Sequence, residues 1–169
     1  MKKALVLGVG LCLVCAGSGL GATVVLHATL TGDAERPTPV VTPATGAATL
    51  TFDDVTGTWS LTGSFTGLKD VSTNAHIHGP AGVDGFAGVL KQLAFTSGVL
   101  SGTLSGSDAQ FGLLTATQIG HLKNHMTYVN VHSNAHSGGE IRGQLVPEPA
   151  SMALLGLGCL GLVRRRRKE

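Results

Sequence analysis

The sequence predicts an all-β domain, a Greek-key sandwich or barrel with one short connecting helix. Several segments alternate apolar and polar residues with the period of a half-buried strand. Turn signals rich in Gly and Asp part those segments. The composition agrees: 25 glycines, 13% charged and 4% aromatic residues among 169 suit short strands better than helices with solvated charged faces.

The predicted strands begin with TVVLHATLTG (23–32), GAATLTFDD (46–54) and GTWSLTGSF (57–65). In the third, Trp59, Leu61 and Phe65 share one face, while Thr58, Ser60, Thr62 and Ser64 share the other. Between the first two, the prolines from Pro37 to Pro43 predict an extended loop near a sheet edge. His76-Ile77-His78 follows as an extended segment, then FTSGVLSGTLSG (95–106), TYVNVH (127–132) and GEIRGQL (139–145). The helix rests on a capping-box spacing, with Thr115 as N-cap and Gln118 at N3, and ends near Lys123 or His125. The expected core comprises Trp59, Leu61, Phe65, Ile77, Val89, Leu93, Val129, Val131, Ile141 and Leu145.

The two ends read as targeting segments, leaving 23–146 as the domain between a signal peptide (1–22) and a sorting signal (147–169). Lys2 and Lys3 precede an apolar run from Ala4 to about Ala16, and small residues up to Ala22 predict cleavage there. The run is short for a transmembrane anchor. Val14 stands where a lipoprotein site at Cys15 would need a small residue. At the other end, an apolar run from Ala150 to Val163 meets Arg164 to Lys168, marginal for spanning and held on the cytoplasmic side by its basic cluster. With Val146-Pro147-Glu148-Pro149 in front, this end resembles the PEP-CTERM sorting signal of bacterial surface proteins. The resemblance implies recognition by an exosortase, a transient stay in the inner membrane, removal of the tail, and release to the cell surface or its matrix.

Without those ends the charge reverses. The whole chain carries +2, but five bases face nine acids between Thr23 and Pro149, a net charge of −4. Nothing basic remains to hold nucleic acid. Cys12, Cys15 and Cys159 all lie in the targeting segments, so the domain has no internal disulfide.

The residues most able to carry chemistry are histidines. Strand parity places His76 and His78 on one face, and Tyr128, Asn130 and His132 on one face of their own strand. Glu140 and Arg142 sit at i, i+2 on the next. Two readings of these residues stay open. The rings bond to backbone at glycine-rich turns while Glu140 and Arg142 pair as ions; or His76, His78 and His132 converge as metal ligands with Arg142 and Glu140 at the edge. His27, His121, His125 and His136 read as surface residues. Ser133 and Ser137 stand near histidines without the surroundings of a hydrolase nucleophile.

HIHGPAGVDGFAGVL, then YVNVHS, then GGEIRGQL resembles the CHRD domain, named for chordin, over most of residues 24 to 146. That implies an all-β domain in a secreted protein. The leading reading is an exported envelope or extracellular-matrix protein whose CHRD domain binds an envelope polymer or a surface protein. A second resemblance is to the copper side of Cu/Zn superoxide dismutases. It implies copper on His76, His78 and His132, with Arg142 attracting an anionic substrate. The cysteine pair of those enzymes is missing, as is a histidine- and aspartate-rich loop for zinc. The alternative is therefore a copper-only domain, with or without dismutase-like activity.

Overall fold

The computed structural model describes residues 21–148. The predicted signal peptide up to residue 20, Pro149, the C-terminal apolar run, the arginine cluster and all three cysteines lie outside the described residues.

Nine strands form: β1 (Thr23–Thr31), β2 (Thr45–Asp53), β3 (Trp59–Thr66), β4 (Ser72–His78), β5 (Val89–Gln92), β6 (Ala94–Phe95), β7 (Gly102–Ser107), β8 (Tyr128–Ser133) and β9 (Ile141–Gln144). Two helices, α1 (Asp108–Phe111) and α2 (Ala116–Lys123), lie between β7 and β8. At the start of α2 the Thr115 hydroxyl accepts from the Gln118 N–H, and the Gln118 side chain accepts from the Thr115 N–H. The capping box forms as its spacing predicts.

The strands pair in the order β5-β4-β8-β9-β1-β2-β3-β7-β6, every neighbour antiparallel. The two ends of this sheet, β5 and β6, are separated in sequence by Leu93 alone, whose N–H donates to the Ala75 carbonyl at 3.1 Å. One stretch of chain thus borders both edges, and the sheet curls into a nearly closed barrel, which removes most of its exposed edge. The β3–β4 and β7–β8 connections pass over neighbouring strands, the Greek-key feature.

Inward positions fill the barrel with Leu26, Leu30, Leu50, Phe52, Leu61, Ile77, Val129 and Ile141, all essentially inaccessible. Each such side chain contributes roughly 1.5–3 kcal/mol by leaving water. Of the expected core, Trp59, Phe65, Leu93, Val131 and Leu145 are also buried, but Val89 is 51% exposed. The register shifts between Ile77 and His78 where β4 meets β5, so the alternation counted from Leu93 fails, and Leu90 packs against the core instead. The segment 95–106 also differs from expectation. The chain leaves β6, turns through Gly98 (φ 74°) and returns as β7, with Phe95 opposite Leu104. Apolar residues continue through that turn, so alternation alone does not reveal it.

The barrel's outer walls differ. On β1, β2, β3 and β7 the outward positions are exposed or half-buried, and strand registers align Thr49, Thr62 and Ser105 in one row and Thr51, Ser60 and Ser107 in the next, with Thr62, Ser60 and Ser105 exposed. On β4 the outward His76 and His78 are buried and Asn74 is half-buried, and all six residues of β8 are buried. Three loops approach that second wall: 32–44, 79–88 and 134–139. The loop at 134–139 comes close at Gly139 (φ 129°), where an added Cβ would lie 2.5 Å from Asn130 Nδ2.

Candidate metal centre

The covered wall brings the three predicted histidines together. The register pairs Asn74 with His132, His76 with Asn130 and His78 with Tyr128. The His76 and His132 rings lie 5.0 Å apart between centroids, those of His76 and His78 5.2 Å, and those of His78 and His132 6.0 Å. Each residue offers a ring nitrogen within 4.8 Å of those offered by the other two. They are only 6%, 9% and 8% exposed in chain order, so the cluster is nearly shielded from water.

Their second nitrogens are held by backbone. His132 Nδ1 donates to the Ser137 carbonyl at 2.9 Å, and His78 Nδ1 donates to that of Ala87 at 3.0 Å. A carbonyl acceptor settles the tautomer, so each Nε2 carries a lone pair. His132 Nε2 uses it on His76 Nδ1 at 3.1 Å. His78 Nε2 is buried without any partner. Burial lowers the pKa of all three rings; in His76 the neighbouring His132 and His78 add to it and push it down to about 4. All three imidazoles are therefore neutral at neutral pH, the form that binds metal.

Around them, Tyr128 stacks on His78 with ring planes 5° apart and centroids 5.0 Å apart. Its hydroxyl accepts from the Ala87 N–H at 3.1 Å, tying the histidine-orienting loop to β8. The Arg142 guanidinium lies 3.5 Å from the Tyr128 ring centroid and donates to the carbonyls of Gly85 (2.6 Å) and Gly82 (3.0 Å). Its side chain is directed at loop 79–88 and the residue is 2% exposed. Glu140 does not join the histidines or pair with Arg142. Its carboxylate accepts from Thr42 Oγ1, the Lys69 N–H and Ser133 Oγ. Burial raises its pKa, but those bonds outweigh it and leave the carboxyl below its usual value. Parity puts Ser133 on the opposite side of β8 from His132, which separates the two sites.

Glu35 was not legible as part of this wall. It sits in the proline-rich loop, 3% exposed, with Asn130 Nδ2 donating to its Oε2 at 3.3 Å and its Oε1 without a partner. Burial, opposed by Arg142, by the Arg36 N–H and by Asn130, raises its pKa to about 7. A polar residue in a loop carries no periodicity, so no sequence signal marked it. None of the four remaining histidines joins the cluster: His125 is exposed, while His27, His121 and His136 are half-buried.

The molecule is thus a Greek-key antiparallel barrel with a shielded three-imidazole cluster on one outer wall. Residues 26–145 match the CHRD domain, well over half of the chain, and the protein belongs to that family. Residues 145–168 match the PEP-CTERM protein-sorting motif, the mark of an exported protein anchored transiently in the membrane and processed by an exosortase. No curated protein and no solved structure has a significant match to the chain. Among the described residues no helix is long and apolar enough to cross a membrane.

Proposed function

We propose that the processed protein is a non-enzymatic component of the cell surface or extracellular matrix, whose CHRD barrel binds an envelope polymer. The observation that carries this is the outer wall of β2, β3 and β7. Its aligned rows of Thr49, Thr62 and Ser105, and of Thr51, Ser60 and Ser107, repeat across neighbouring strands at about 4.8 Å. Such a hydroxyl-lined, nearly uncharged surface suits a neutral, hydroxyl-rich polymer, bound through many weak hydrogen bonds. The net charge of −4 between Thr23 and Pro149 disfavours a polyanion.

Delivery fits that role. The barrel's last bonds to the C-terminal strand end are the His27–Val146 pair, at 2.7 and 3.0 Å. Beyond them Glu148 reaches His27 Nε2 at 3.2 Å with its own side chain 61% exposed. Cutting within or just after Val146 to Pro149 leaves every buried strand in place. The test compares host cells with and without their exosortase, by intact mass and by fractionation. The expected product runs from about Ala22 or Thr23 to between Val146 and Pro149 and is retained on the isolated polymer matrix. Without exosortase the tail stays on and the protein stays in the membrane fraction. Thr62→Lys, on the open wall, should be processed normally but released from the matrix. Equal retention of wild type and variant would overturn the binding surface, and a full-length product in normal cells would overturn the route.

A further inference from the structure

The geometry points to a copper site at His76, His78 and His132, on the wall opposite in character to the hydroxyl-lined one and independent of polymer binding. Three features of the cluster converge on a metal rather than on structural polar pairing. First, one ring nitrogen of each histidine already lies within 4.8 Å of those of the other two, with His76 Nδ1 and His132 Nε2 at 3.1 Å. Metal–imidazole bonds of about 2.0–2.1 Å put ligand nitrogens about 3.3–3.6 Å apart in trigonal or tetrahedral sites. Small ring rotations therefore close the set, with no strand movement.

Second, the lone pairs are aimed by bonds that spend the other nitrogen. Donation of Nδ1–H to the carbonyls of Ala87 and Ser137 is the usual outer-shell support of a ligating histidine. Third, His78 Nε2 is a buried acceptor with no partner, a cost that a structural cluster avoids and a metal removes. His76 completes the set by changing tautomer. Its Nδ1–H, which donates to His132 Nε2, moves to Nε2, and Nδ1 becomes a ligand with no net loss of charge or proton. Gln92 stands opposite His76 across the β4–β5 pairing.

The donor set selects the ion. Three neutral imidazoles, with no carboxylate or thiolate in the cluster among the described residues, suit late first-row metals and bind copper most tightly of these. Calcium and magnesium need oxygen ligands and are excluded.

The test titrates the exosortase-processed protein, without a histidine tag, with Cu(II), with Cu(I) and with Zn(II), and records the paramagnetic resonance of the Cu(II) form. Uptake of one copper per chain, with nitrogen hyperfine coupling from imidazoles, is the expected result. His78→Ala should weaken uptake about 100-fold or more, while His125→Ala, an exposed histidine outside the cluster, should bind as wild type does. Should His78→Ala fail to fold, the nitrogen couplings of the wild type and the His125→Ala control still decide the matter. No stoichiometric copper in wild type, undiminished uptake in folded His78→Ala, or uptake of zinc alone would each overturn the copper assignment. Thr62→Lys should leave copper binding unchanged, so loss of polymer binding and loss of metal are separate outcomes.

Discussion

Replacing Glu35 by glutamine should make the protein more stable at pH 8 and leave it nearly unchanged at pH 4. The carboxyl is 3% exposed, accepts from Asn130 at 3.3 Å, has one unpartnered oxygen, and titrates near 7 rather than 4.5 in the folded state. Below about pH 4.5 both folded and unfolded chains carry it protonated, and it costs nothing extra. Between about 4.5 and 7 the unfolded chain ionises it while the folded chain resists, so stability falls as pH rises. Above 7 the cost is complete, about 3 kcal/mol for a difference of this size. Glutamine mimics the protonated carboxyl and escapes that cost. His76 works in the other direction: its folded pKa, about 4, lies below the ordinary 6.5, so its contribution is present above pH 6.5 and fades as pH falls toward 4. The raw stability curve of the wild type mixes the two. The difference between wild type and Glu35→Gln, measured by urea unfolding at pH steps from 4 to 8, isolates the carboxyl. A difference that stays flat across that range would show that Glu35 titrates as a solvated group, and the argument from its burial would be refuted.

Arg142→Met should destabilise the barrel by about 2–4 kcal/mol, because it leaves the Gly82 and Gly85 carbonyls without their charged donor. Amide exchange across residues 79–88 should speed up more than exchange in β1 to β3, and uniform acceleration would count against a role in pinning that loop. Thr115→Ala should cost about 1 kcal/mol by removing the acceptor for the Gln118 N–H, and an unchanged thermal midpoint would show that packing of Ile119 and Leu122 alone holds α2.

Much of the barrel is legible in the sequence. Trp59, Leu61 and Phe65 recur at the spacing of one strand face, and that face is the one the barrel buries. Thr115 and Gln118 announce a helix start because the box is a local arrangement of four residues. The same local logic failed at Val89, where a bulge against β4 shifts the count, and across 95–106, where a turn hides inside apolar alternation. Parity also paired Glu140 with Arg142 on one face. In the fold Glu140 collects donors from Thr42, Lys69 and Ser133, residues far apart in the chain.

The sequence by itself determined the targeting motifs, the β class and which side of its strand each histidine occupies, because each is set by neighbours within a few residues. Only the tertiary structure decided that the histidine wall is roofed by loops while the hydroxyl wall is open. It alone aimed His78 and His132 through the carbonyls of Ala87 and Ser137, and it alone buried Glu35 beside Asn130. Those outcomes depend on where long connections come to rest after the barrel closes. That is settled by contacts across 95 residues from Glu35 to Asn130, a separation at which no local periodicity survives.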